Sequence, residues 1–155
     1  MALTIVSGGQ SGVDRAALDA ALALGLDVGG WCPAHRWAED GPIPDRYPLR
    51  ETPSADPAQR TRWNVRDSHA TLVVAPAPPT GGTALTVEAA RALGRPHLVV
   101  AAEFDRLGET ASWVARALPE AGRLNVAGAR ESEAPGVYGA ARAWLGALLE
   151  AVAQG

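Results

Sequence analysis

Ser7-Gly8-Gly9-Gln10-Ser11-Gly12-Val13-Asp14-Arg15 is the stretch whose reading decides the fold. Leu3-Thr4-Ile5-Val6 precedes it as a short strand-like run, and Val13, Ala17, Ala21 and Leu24 follow it at helical spacing. The glycines therefore occupy a strand-to-helix turn, where glycine permits a positive φ and lets a ligand approach bare backbone. The first N–H groups of a helix lack intrahelical partners, and with the helix dipole they form an anion site. The turn has neither the G-x-G-x-x-G spacing nor the lysine of a P-loop. Gly8, Gly9, Gln10, Ser11, Gly12, Asp14 and Arg15 are the expected ligand contacts here. Bulk at Gly9 is expected to block the ligand and leave the fold intact, the turn lying at the surface. Asp14 carries a second reading: Ser11 and Asp14 match a capping box, in which Asp14 reaches back to the Ser11 N–H. Both readings stay open.

The 155 residues suit a single Rossmann-like domain spanning 1–155, large enough to bury its own core. Apolar residues make up 47%, dominated by Ala, Leu and Val, a mix suited to parallel strands covered by Ala-rich helices. The net charge of −3 offers no surface for nucleic acid or an anionic membrane. All basic side chains are Arg; the absence of Lys excludes Schiff-base chemistry. One cysteine, Cys32, excludes an intrachain disulfide and fits a reducing cytoplasm. No signal-type stretch and no membrane-length apolar run is visible.

In chain order, Gly25 ends the first helix and 26–32 reads as a second strand closed by Pro33. Residues 33–56 are the longest irregular stretch. Arg36, Arg46, Arg50, Arg60, Arg62 and Arg66 are balanced there by six acidic residues, which reads as a solvated surface with one or two arginines turned to a ligand. Trp31 and Trp37 offer either stacking on a flat heterocycle or a loop anchor. Asp56-Pro57 starts a helix to about Asp67; 70–75 is a third strand; Thr80-Gly81-Gly82-Thr83 opens a helix over 83–93. Strands at 97–102 and 124–127 and helices at about 108–118 and 136–152 complete the pattern. The fold class is α/β, a doubly wound five-stranded parallel sheet with helices on both faces. Strand order 2-1-3-4-5 is expected, with 3-2-1-4-5 as the alternative.

Three turns then face one crevice: 8–15, Gly81-Gly82-Thr83, and 128–132, the last offering Gly128, Arg130 and Ser132. Such convergence suits a phosphate-bearing ligand. Glu88 is the carboxylate best placed near the crevice. His35, His69 and His97 lack metal-ligand spacing, so no metal site is expected. The last helix carries Trp144, Leu145, Leu148, Leu149 and Val152 on an apolar arc that predicts a homodimer or homotetramer with a helical interface.

The runs from Ser7 to Asp19, Gly30-Trp-Cys-Pro33, Ala38 to Pro44, Arg60 to Asp67, Gly81-Gly-Thr83 and Leu124 to Gly128 resemble the molybdenum-cofactor carrier protein family, over nearly the whole chain. That family falls in the wider SLOG/lysine-decarboxylase-like Rossmann group. The resemblance implies an oligomeric cytoplasmic protein that holds molybdopterin as cargo, protects it and passes it to molybdoenzymes. Two alternatives come with the wider group: a nucleoside-monophosphate phosphoribohydrolase using Glu88 or Asp14, and a nucleotide-binding sensor. The hydrolases of the group carry P-G-G-x-G-T-x-x-E. Here Glu88 lies five residues after Thr83 instead of three, which favours binding over hydrolysis.

Overall fold

The computed structural model describes residues 2–155. Strands β1 (Thr4–Val6), β2 (Asp27–Gly29), β5 (Ala70–Val74), β6 (His97–Val100) and β7 (Arg123–Gly128) form one parallel sheet. Strands β3 (Trp31–Cys32) and β4 (Arg50–Glu51) form a separate parallel pair. Helices α1 (Val13–Ala23), α2 (Pro57–Arg66), α3 (Gly81–Leu93), α4 (Leu107–Ala117) and α5 (Val137–Gln154) connect and cover them. Helices α1, α4 and α5 pack together on one face, and α2 packs on α3 on the other.

The sheet order is β2-β1-β7-β5-β6, so neither order expected from the sequence is correct as read. The last strand does not sit at an edge. It is inserted between the first and the third main strands, with Ile5 beside Leu124 and Leu72 beside Val126. The reason is burial. Leu124, Asn125 and Val126 are fully covered from both faces, whereas β6 leaves Val99 exposed and forms the edge. Counted from β7 as first strand, the order becomes 3-2-1-4-5, a doubly wound sheet whose innermost strand is threaded last.

Element positions follow local chemistry. Asp56 accepts a hydrogen bond from the Ala58 N–H, with Pro57 at the first helical position, so α2 starts where an N-cap and proline place it. The expected strand over 26–32 is broken in two at Gly30. A side chain there would collide with the Ser7 carbonyl oxygen, and φ is +129°. The stretch 33–56 is irregular as read, with only a 3-10 turn at Ala34–Arg36 and the two residues of β4, yet it is packed down. Ile43, Tyr47 and Leu49 pack with Leu18, Cys32 and Ala38 in a second small core. Arg36 holds it together by donating to the carbonyls of Ile43, Pro44, Tyr47 and Leu49 at 2.8–3.1 Å.

The helical-interface expectation for α5 is corrected as well. Trp144, Leu145, Leu148 and Leu149 are fully buried within the chain against the sheet, α1 and α4. The Trp144 indole N–H donates to the Glu103 carbonyl at 2.8 Å. The wide apolar arc is covered by the chain's own elements. Among the described residues no helix is long and apolar enough to cross a membrane.

Candidate functional site

Insertion of β7 brings the outgoing turns of β1, β7 and β5 side by side. A cleft of about 340 Å³ opens there, at the carboxyl ends of the central strands. Helix α5 leaves β7 on one face and α3 leaves β5 on the other, so the cleft lies at the topological switch point. Gly8, Gln10 and Asp14 line it from the first turn, Gly81, Gly82 and Thr83 from the second, and Gly128 and Arg130 from the third.

The other expected contacts lie elsewhere. Ser11, Gly12, Arg15 and Ser132 line a separate groove, more open and larger at about 840 Å³. There they bond mainly to other groups of the chain. Glu39 accepts from Ser11 Oγ, Ser132 Oγ and the Ser132 N–H, and these hydrogen bonds hold its carboxyl below the usual carboxylate range. Arg15 grips the Gly9 carbonyl and pairs with Asp40. Glu88 is exposed on α3, outside the cleft lining.

Gly9 is buried, not at the surface. Its φ is +77°, and a Cβ there would stand 2.7 Å from Leu49 Cδ1 and 3.0 Å from Ile43 Cδ1. Most N–H groups of the first turn are spent within the chain. The Gly9 N–H goes to Ser7 Oγ, Gln10 N–H to Asp14 Oδ2, Ser11 N–H to Gln10 Oε1 and Val13 N–H to the Ala129 carbonyl. The capping box is absent: Gly12 is the N-cap of α1, and Asp14 reaches Gln10 instead of Ser11.

The open helix terminus is that of α3. Thr83 and Ala84 N–H groups donate to the Thr80 carbonyl. Among the described residues, the N–H groups of Gly81 and Gly82 have no partner, and no side chain caps the helix. The start of α5 is closed, because Glu131 accepts from the Gly136 and Tyr138 N–H groups.

Asp14 and Arg60 form the floor. Arg60 Nη1 donates to the Gly8 carbonyl at 2.8 Å and lies 3.9 Å from Asp14 Oδ2. Burial pushes the Asp14 carboxyl up to about 6, against the opposing pull of Arg60 and the Gln10 N–H. Burial also pulls the Arg60 guanidinium below its ordinary value. Of the arginines in the 36–66 span, Arg60 alone lines the cleft among the described residues. Trp37 stands at the lip, 46% exposed. Trp31 is a loop anchor, edge-on to Trp63 with its N–H on Asp67.

Asn125 and Thr86 also line the cleft and were not singled out from the sequence. Asn125 had a signal: an amide in the middle of the apolar run Leu124 to Ala127. Thr86 stands three residues after Thr83, where the hydrolase motif carries its glutamate; its hydroxyl donates to the Gly82 carbonyl. Among the described residues no three His, Cys, Asp or Glu side chains are gathered to hold a metal ion.

A doubly wound sheet entered through its outer strands, with a ligand-sized cleft at the switch point, defines a Rossmann-like binding protein of rotated strand order. Residues 5–149 match the circularly permutated YpsA SLOG family, and the chain belongs to it. The chain is also similar to a crystal structure from Syntrophus aciditrophicus described as a "putative molybdenum carrier protein". Identity is 38%, the match covers 94% of each chain, and the TM-score is 0.86. No curated protein matches the chain.

Proposed function

We propose that this chain is a cytoplasmic binding protein for a phosphate-bearing pterin, the molybdenum cofactor, which it holds for delivery to molybdoenzymes. The observation that carries the reading is the uncapped start of α3. Its two unspent N–H groups, on Gly81 and Gly82, open into the switch-point cleft, as a phosphate ester requires. The molybdenum-carrier description of the Syntrophus protein supports the pterin as cargo. Thr86 at the position of the hydrolase glutamate supports retention over turnover.

Mass spectrometry of whatever co-purifies with the native protein tests the reading. A phosphorylated pterin is the expected result; a nucleotide in its place overturns the cargo. The buried Asp14 carboxyl favours one rival, a phosphoribohydrolase. Release of free base from nucleoside monophosphates, lost in Asp14→Asn, would establish it.

A further inference from the structure

The cleft has polar atoms that the fold does not use. Gln10, Asp14, Thr83 and Asn125 are each at least 92% buried. Yet among the described residues Gln10 Nε2, Asp14 Oδ1, Thr83 Oγ1 and Asn125 Oδ1 form no hydrogen bond. Arg60 spends Nη1 on the Gly8 carbonyl and Nε on Thr61, and Nη2 on nothing. The one fully enclosed polar side-chain atom without a partner, among the described residues, is Ser68 Oγ. The atoms above are therefore open to the cleft their residues line. Buried polar groups are ordinarily satisfied, and several left open in one cleft mark what a ligand must supply.

Their pattern is mixed. Asp14 Oδ1 and Asn125 Oδ1 accept only, while Arg60 Nη2 and Gln10 Nε2 donate only. We infer that the cleft reads the 2-amino-4-oxopyrimidine edge shared by guanine and pterins: Asp14 and Asn125 accept from its ring N–H and amino group, and Arg60 donates to its oxo group. This inference rests on the proposed phosphate site at α3, which fixes the other end of the same ligand. The carboxylate suits the task. Gln10 and Arg60 hold one Asp14 oxygen, leaving the other to accept a charge-assisted bond. An adenine edge would set a ring lone pair against Asp14. Hypoxanthine lacks the amino group and would leave Asn125 unpaired. A ribose diol would also satisfy both acceptors, and its hydroxyl oxygens accept from Arg60, so ribose 5-phosphate is the competitor that the titration has to separate.

Calorimetric titration of the whole protein tests this. The probes are pyrophosphate, ribose 5-phosphate, AMP, IMP, GMP and a hydroxymethylpterin monophosphate. GMP and the pterin phosphate are expected to bind about tenfold or more tighter than IMP and AMP, since each mismatch leaves a buried polar group unpaired. Asn125→Ala is expected to shrink the GMP-to-IMP ratio to within about threefold, whereas Asp14→Asn is expected to weaken both alike. The tighter of GMP and the pterin phosphate names the natural source of the edge. IMP or ribose 5-phosphate matching GMP on the parent protein overturns the inference without recourse to any variant. The phosphate reading stands or falls separately, on whether pyrophosphate binds and loses affinity in Gly82→Asp. Failure of every probe to bind overturns both.

Discussion

Asp14 Oδ2 and Arg60 Nη1 face each other at 3.9 Å on the floor of the cleft, the first accepting from the Gln10 N–H and the second donating to the Gly8 carbonyl. The separation is too long for a tight ion pair, so Arg60 only partly offsets the burial of the carboxylate. A group raised from 3.8 to about 6 binds a proton in the native state that the unfolded chain has lost.

The Asp14 contribution to stability should therefore fall as pH rises between about 4 and about 6, by about 3 kcal/mol in all at roughly 1.4 kcal/mol per pKa unit. Asp14→Asn removes that contribution. Urea unfolding of the parent and the variant across pH 4–7 measures the difference, in which all other titrations cancel. The variant should gain on the parent by up to that amount as pH rises. A difference independent of pH contradicts the assigned burial cost.

Gly9→Val should damage the fold instead of selectively blocking a ligand. A β-branched residue is forced to a φ of +77°, and its Cβ meets Leu49 and Ile43. Left-handed strain and overpacking each cost about 1–3 kcal/mol, so the loss should be about 2–6 kcal/mol. Thermal unfolding reads it. A variant as stable as the parent that had lost ligand binding would restore the surface reading of this turn.

Much of the architecture was legible because each element is marked locally. Asp56-Pro57 starts α2, Gly94 ends α3, and the apolar run 70–74 reads as a buried parallel strand. The position of β7 was not. The crossover through α4 has the same length whether it returns beside β6 or two strands further on, and Leu124 to Ala127 is no more apolar than 97–100. The convergence of three turns survives the error, because β7 carries its turn between the other two. Within the site, glycine content suggested two equivalent cradles. Hydrogen bonding separates them: Ser7, Asp14 and Gln10 take the N–H groups of Gly9, Gln10 and Ser11 in the first, and nothing takes those of Gly81 and Gly82. Side-chain acceptors arriving from a turn's own residues are invisible to a glycine pattern.

Gly82→Asp should separate binding from folding. The position has an ordinary φ and open space around a Cβ. A carboxylate near a helix N-terminus stabilises it by about 0.3–1 kcal/mol, so the melting temperature should hold or rise slightly. The same carboxylate competes with and repels a phosphate. Pyrophosphate affinity should drop by about tenfold or more, on the order of one charge-assisted hydrogen bond. Undiminished affinity in calorimetry would move the phosphate away from α3.

Arg36→Ala should unfasten the segment that roofs the first turn. Arg36 donates to four carbonyls between Ile43 and Leu49, and the Ile43 N–H donates back to the Arg36 carbonyl. That hub holds Ile43 and Leu49 against Gly9, and Tyr47 in the cluster with Leu18. Hydrogen bonds from a charged donor are worth about 1.5–3 kcal/mol each and are not additive here, so a total loss of about 3 kcal/mol is expected. The local effect should exceed the global one, because the small core is separate from the main cluster on the sheet. Limited proteolysis within 38–49 should accelerate well beyond what the change in global stability allows. Arg36→Lys should restore little, since a compact ammonium with three donors cannot span four carbonyls that a planar fork reaches. Equal cleavage rates in parent and Arg36→Ala would show that the apolar contacts of Ile43, Tyr47 and Leu49 suffice to hold the segment down.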